Sequence, residues 1–349
     1  MRFVFYSIDL SPHLAPLAEA ISKIVGVDNF LYVEELKEPW RGEKVVANGY
    51  RVTNVENAKA ELETADIVCI GGIRPIGLIE RRAAKGLRTI YLSERWFKPI
   101  RRYFSAFGRC FSIGVPGWVR MFWPAYRRMA GRFVKAVNES GCVTFFAIGP
   151  HAVRDFVRMG VRPEKIVLFG YYVENGAGNR KHEAGRLRVL WVGRMLGWKR
   201  VDTLIDAVGQ CASAGMDVTL DIYGKGPEES RLRKAAARCG GAVKVHGFVP
   251  LREVRGLMRS HDTYVLSSDA QEGWGAVVNE ALEEGMNVIG TSEAGASAAM
   301  LPMERLFRSG DAKALAGLLA KELRGELPGC SIGEWTADVA AKKMLEVCK

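Results

Sequence analysis

With 349 residues, 48% hydrophobic and 26% charged, the chain has the composition of an ordinary globular protein and the length of two domains, and no window approaches the ~20 uninterrupted apolar residues of a membrane helix. Its seven cysteines are odd in number and scattered without CxxC spacing, which argues for free thiols in a reducing compartment and against a protein-ligated zinc. The formal net charge of +11 favours anionic partners such as nucleotides, phospholipid headgroups or nucleic acid.

The chain opens on "MRFVFYSIDLSPHLAPLAEAISK", whose apolar run is too short for a signal peptide and lacks a small-residue cleavage pattern, so it reads as a first strand and helix. Short apolar runs then alternate with helix-period stretches. "ADIVCIGG", "LRTIYLS", "CVTFFAIG" and "EKIVLFG" read as buried strands; "PIGLIERRAAKG" and "PHAVRDFVRMG" read as helices between them. This alternation predicts a doubly wound, Rossmann-like parallel sheet over residues 1–173. The polar, glycine-bearing stretch 174–186 reads as a linker. From 187 to 332 the alternation restarts, with strands in "LRVLWVG", "VTLDIYG", "VKVHGFV", "TYVLSS" and "NVIGTS". Residues 333–349 form an amphipathic helix expected to pack back on the first domain. Two such α/β domains facing across a cleft would bind ligands at the carboxyl ends of their strands.

The chemistry-bearing residues lie in the loops of the second half. "VGRMLGWKR" places Gly193, Arg194 and Lys199 at a strand-to-helix loop, where a planar fork and a point charge suit a diphosphate. Taken alone, the loop fits two solvated charges equally well. In "IYGKGPEES", Gly224 permits backbone approach to a ligand, though a plain tight turn explains it as well. In "VHGFVP", the backbone around Phe248 and Val249 is suited to the edge of a flat base; the other reading packs Phe248 into the core. His246 reads as structural, with no acidic partner near in sequence. The stretch "QEGWGAVVNEALEEG" carries Glu272 in a loop, with Gly273 and Gly275 leaving the N–H groups of Ala276 and Val277 to face an anion at a helix start. Glu280 lies two turns further on. A carboxylate beside a phosphate site is unfavourable unless it accepts hydrogen bonds, and sugar hydroxyls supply them.

The ordered set "VGRMLGWK", "IYGKGP", "VHGFVP" and "EGWGAVVNE" resembles the retaining glycosyltransferases of GT-B fold, family 4, strongly over residues 186–295 and in architecture alone before them. The resemblance implies that Arg194 and Lys199 grip the donor diphosphate, that Glu280 binds the nucleotide ribose, and that Glu272 contacts the donor sugar near the reacting carbon. It also implies that the backbone at Ala276 and Val277 is the phosphate-binding helix start, and that no metal or other cofactor is needed. Trp274 stands where the family usually has Phe. Many members carry a His after the strand corresponding to "ADIVCIGG", where this chain has Gly71, Gly72 and Arg74. Arg74, Ser93, Glu94 and Arg95 are therefore the acceptor-side candidates.

From Arg95 to Lys135 ten basic residues occur without one Asp or Glu, interleaved with aromatics. Arg101, Arg102, Trp118, Trp123, Arg127 and Arg128 are the candidates for contact with an anionic membrane. The alternative makes the aromatics core and the charges a solvated face. No nucleic-acid motif accompanies the segment, so no nucleic-acid partner is expected. The resulting expectation is a cytoplasmic transferase, peripheral on the inner face of the cell membrane. It would move a sugar with retention from a nucleotide-diphosphate sugar, UDP-linked in the first instance, to a lipid-linked or polysaccharide acceptor. A sugar-nucleotide epimerase of similar fold and a catalytically silent membrane-surface binding protein are the competing readings. Sugar, base, acceptor and oligomeric state are not fixed by the sequence.

Overall fold

The computed structural model describes residues 1–36, 45–106, 109–174, 176, 178 and 185–347. Most of the expected linker, Phe107 of the basic segment and Cys348 lie outside these residues. The chain divides into two compact units.

The first unit comprises residues 1–97, 117–174 and 334–349. Its elements begin with β1 (Phe3–Ser7), α1 (Ala15–Val25), β2 (Phe30–Glu34), β3 (Arg51–Asn54), α2 (Lys59–Thr64), β4 (Ile67–Gly71), α3 (Ile76–Ala84) and β5 (Arg88–Ser93). An excursion follows, formed by β6 (Ile100–Ala106) and β7 (Arg109–Val115). The unit then resumes with α4 (Pro124–Glu139), β8 (Val143–Ile148), α5 (Pro150–Met159) and β9 (Ile166–Phe169). Its seven-stranded sheet has the order β3-β2-β1-β4-β5-β8-β9, and every pair is parallel. The "FVFYS" of β1 and "IVCIG" of β4 are buried at every position because helices cover both faces of a parallel sheet. Arg82 of α3 is wholly buried and donates to the carbonyls of Leu62, Ala65 and Arg88 and to the Thr89 hydroxyl at 2.8–3.0 Å. One guanidinium thus ties the end of α2 to the start of β5.

The second unit comprises residues 98–116 and 175–333. After the β6–β7 hairpin it contains β10 (Leu187–Val192), α6 (Val201–Ser213), β11 (Val218–Tyr223), α7 (Glu229–Ala236), β12 (Val243–Gly247) and α8 (Leu251–Ser260). These are followed by β13 (Thr263–Leu266), α9 (Val277–Glu283), β14 (Asn287–Thr291), α10 (Gly295–Met300), β15 (Leu306–Phe307) and α11 (Ala312–Leu323). The order β12-β11-β10-β13-β14-β15 is again all parallel. Its strands reverse direction of growth between β10 and β13, the switch point where open α/β sheets bind ligands. α12 (Ala337–Glu346) returns to the first unit and packs on α1.

The first domain was expected to run unbroken to residue 173, with the basic aromatic segment inside it; instead, residues 98–116 group with the second unit. No helix among the described residues is long and apolar enough to cross a membrane.

Candidate active site

In the second unit, the apolar β10 ends at Val192, and the chain keeps pairing with its neighbour beyond the strand. Gly193 N donates to Tyr223 O at 3.0 Å and Met195 N to Lys225 O at 2.8 Å. The two loops lie so close that a Cβ at Gly224, whose φ is 140°, would fall 1.8 Å from Gly193 O. Gly224 therefore lets one loop approach the other closely. A single helical turn at Gly197–Lys199 then leads into α6.

The loop after β13 is tied to this one. Asp269 N donates to Trp198 O and Ser267 Oγ to Lys199 O, both at 2.8 Å. These bonds bring together two residues 73 positions apart: Lys199 Nζ lies 2.5 Å from Glu272 Oε2, which also accepts from Ser268 Oγ at 2.8 Å. Burial by itself pushes the Glu272 carboxyl up, but the Lys199 ammonium and the Ser268 hydroxyl outweigh it and hold the group below its ordinary value. Lys199 also sits 4.5 Å above the Trp198 ring. An ammonium has three N–H donors, so the pair leaves Lys199 able to bind a further oxygen.

Beyond Glu272 the chain turns at Gly275, in the left-handed region at φ 93°, where a Cβ would meet the Leu266 side chain at 2.8 Å. α9 starts immediately after, and the N–H groups of Ala276 and Val277 have no acceptor among the described residues. Gly273 O instead accepts from Gly295 N at 3.2 Å, fastening the loop to α10. Trp274 fills the core at 1% exposure and donates to Asn279 Oδ1 at 2.8 Å. On α9, the Glu280 carboxyl has neither a hydrogen bond nor an ion pair among the described residues, and burial raises its pKa to about 7 against a small opposing effect of Arg255. Arg194 is exposed and likewise has no carboxylate partner among them. The site thus offers an available guanidinium, a lysine with spare donors, two free amide groups and a carboxyl awaiting hydrogen-bond donors.

Phe248 is not core: it is 66% exposed, with Lys225 Nζ 5.3 Å from its ring, while Val249 is half-buried. His246 does have an acidic partner, Asp221 on the adjacent strand at 2.5 Å, and His261 reaches the other oxygen of the same carboxylate at 3.2 Å. Strand pairing, not sequence proximity, brings these groups together.

In the first unit a cavity of about 210 Å³ opens at the carboxyl ends of β1 and β4, where that sheet also switches direction. Asp9, Ser11, His13, Gly72, Glu94 and Tyr171 line it. Of the four acceptor-side candidates only Glu94 belongs to it. Ser93 is buried, donating to Glu94 O and accepting from Trp96 Nε1; Arg95 pairs with Asp155 at 3.0 Å; Arg74 stacks on Trp96 at 4.6 Å. Asp9, His13 and Tyr171 were missed, although "SIDLSPH" directly after the first strand carried the signal for two of them. A larger groove of about 990 Å³ between β7 and α6 includes none of Arg194, Lys199, Glu272 or Glu280.

The basic aromatic segment divides. Trp96, Phe97 and Phe133 belong to the first unit's core, whereas Trp118, Phe122 and Trp123 are each more than half exposed and Arg127 and Arg128 are exposed beside them in sequence. Arg102 is exposed; Arg101 is exposed in part and reaches Asp269 at 3.5 Å.

Residues 186–324 match the model of the Glycosyl transferases group 1 family. Over 111 residues the chain is 30% identical to the UDP-N-acetylglucosamine–peptide N-acetylglucosaminyltransferase GtfA subunit of Streptococcus agalactiae, covering 31% of this chain and 21% of that protein. A GtfA subunit of Streptococcus gordonii is 32% identical over 26% of this chain and 18% of its own length. The chain thus spans about a fifth of the length of these relatives. Among solved structures, the lipopolysaccharide outer core galactosyltransferase WaaB aligns over 99% of both chains with a TM-score of 0.70 and 15% identity. Anabaena HepE in complex with UDP aligns over 99% of this chain and 94% of its own, with a TM-score of 0.61 and 16% identity. The chain therefore has the GT-B fold of two Rossmann-like parallel-sheet domains, and its residues 186–324 are similar to the glycosyl transferases group 1 domain.

Proposed function

We propose that this protein is a retaining, metal-independent glycosyltransferase that moves a sugar from a nucleotide-diphosphate sugar, UDP-linked, to a lipid-linked or saccharide acceptor. The observation that carries the reading is the convergence of the β10 and β13 loops at the sheet's switch point, with Arg194, Lys199, Glu272 and the α9 start on them. The GtfA relatives are named for UDP-N-acetylglucosamine, and HepE was solved with UDP, which makes uridine the first base to test.

In this mechanism Arg194, Lys199 and the Ala276 and Val277 amides bind the donor diphosphate, and the Glu280 carboxylate accepts hydrogen bonds from the ribose hydroxyls. Glu272, held ionised by Lys199, faces the donor sugar. As the bond between the anomeric carbon and the diphosphate oxygen breaks, its electron pair stays on that oxygen. Fixed cations and amide dipoles stabilise this charge more than they stabilise the intact donor. The acceptor oxygen bonds to the anomeric carbon from the same face and its proton passes to the departing phosphate. Hydroxyl-recognising groups for an acceptor are present in the first unit's cavity at Asp9, His13 and Glu94.

The exposed Trp118 and Trp123, with Arg127 and Arg128, support a peripheral place on the anionic inner face of the cell membrane, where a lipid-linked acceptor is presented. No observation favours the epimerase or the silent binding protein.

The test is nuclear magnetic resonance of the product formed from α-linked UDP-hexoses with EDTA present. An α-configured product is expected. A β-product, or loss of turnover on chelation, would overturn the retaining or the metal-independent part respectively.

A further inference from the structure

The hairpin that the fold moves into the second unit has two faces of opposite character. Side chains alternate across a strand pair, and the pairing Arg101↔Gly114 and Tyr103↔Ser112 puts these residues on one side. That side is docked. Tyr103 OH donates to Asp269 Oδ2 at 2.6 Å, Arg101 reaches the same oxygen at 3.5 Å, and a Cβ at Gly197 would fall 2.8 Å from Tyr103 Cβ. Just before the hairpin, Pro99 O accepts from Gln271 Nε2, one residue from Glu272.

The other side carries Ile100↔Val115, Arg102↔Ile113 and Phe104↔Phe111. All six are exposed, Ile113 by 70%, and the two phenylalanines stack at 5.8 Å. Among the described side chains, five apolar ones with one arginine and no acid form an exposed sheet face.

We propose that this face docks on an anionic phospholipid surface and that the hairpin transmits docking to the donor loop at residues 267–272. Charge complementarity selects the occupant. Between Arg95 and Lys135 the chain carries no acid to meet a cationic partner, and apolar side chains flanked along the sequence only by cations match an interface of acyl chains beneath anionic headgroups. A second copy is disfavoured, because pairing the face with itself brings arginine to arginine without a neutralising carboxylate. Docking restrains a hairpin whose opposite face is bonded to Asp269, so it stabilises the loop that carries Glu272. The functional meaning of that coupling rests on the donor-site reading; docking and loop protection do not.

The experiment is co-sedimentation with phosphatidylcholine–phosphatidylglycerol vesicles and with pure phosphatidylcholine vesicles, combined with hydrogen–deuterium exchange and no nucleotide present. The protein is expected to sediment with the anionic vesicles only. Phe104→Asp with Ile113→Asp should weaken this by at least about tenfold while leaving thermal stability unchanged. Amides of residues 267–272 should exchange more slowly on vesicles, and Tyr103→Phe should retain sedimentation while losing that protection. Sedimentation of the double variant equal to that of the wild type, no sedimentation of the wild type, or conversion of a dimer to a monomer by the double variant would each overturn docking. Unchanged exchange in the vesicle-bound protein would overturn the coupling. Failure of UDP to bind in a separate titration would overturn the donor-site reading and leave these results standing.

Discussion

Lys199 and Glu272, brought within 2.5 Å by the loops that follow β10 and β13, form the centre of the candidate donor site. The pair is largely shielded from water, with side-chain exposures of 16% and 11%. Removing one partner leaves the other charge uncompensated, so Lys199→Met should cost about 3 kcal/mol of stability in denaturant unfolding. Adding Glu272→Gln should recover most of that loss. Activity should not return with it: either variant should lose about 10²–10³ in kcat, and the double variant as much. Recovery of activity with stability would make the pair purely structural.

Glu280 should trade stability for binding. Its folded pKa of about 7 lies above the ordinary 4.5, so between those values the folded state holds a proton that the unfolded state has lost, and stability falls as pH rises through that window. Glu280→Gln removes the penalty. It should stabilise the ligand-free protein by of order 1–3 kcal/mol at pH 8 and have little effect near pH 4.5. UDP affinity should show the opposite pattern, weakening in the wild type as pH drops below 7 and losing this dependence in the variant. Titration calorimetry across that range checks both signs.

Gly224→Ala places a methyl against Gly193 O, backbone that has nowhere to move, at a φ that disfavours any side chain. A loss of at least about 3 kcal/mol is expected by urea unfolding. Gly317→Ala on α11, with open space around its Cβ position, should instead stabilise by about 0.5–1 kcal/mol.

Arg82→Met should destabilise the first unit by about 3 kcal/mol, because three buried carbonyls and the Thr89 hydroxyl lose their donor together. Burial already lowers this guanidinium's pKa to about 10. Slower unfolding rates in the wild type than in the variant would be the kinetic counterpart.

The second unit was legible because its two central strands are mostly apolar runs with the site residues in the loops after them: Arg194 and Lys199 after "LRVLWV", Glu272 after "TYVL". The edge of the first sheet was not. β3 reads "RVTN" and is half-exposed, so no apolar run announces it. The β6–β7 hairpin was hidden for a different reason: its arginines and aromatics alternate across two faces, and charge density drew attention from period two. Partnerships across long separations were the least legible. Nothing local to Tyr103 points to Asp269, or to His246 points to Asp221; strand order and loop docking create these pairs. Of the two readings of Phe248, packing into the core does not hold, because its place after the edge strand β12 leaves it exposed.

The most direct test of the donor site is a thermal-shift titration of UDP, GDP and ADP against the wild type, Arg194→Ala and Glu280→Ala. A site-specific ligand stabilises by about 2.7 kcal/mol at a hundred times its Kd. UDP should raise the wild-type midpoint, and both variants should lose most of that shift. Equal shifts in all three proteins, or none with any nucleotide at millimolar concentration, would contradict the donor-site reading.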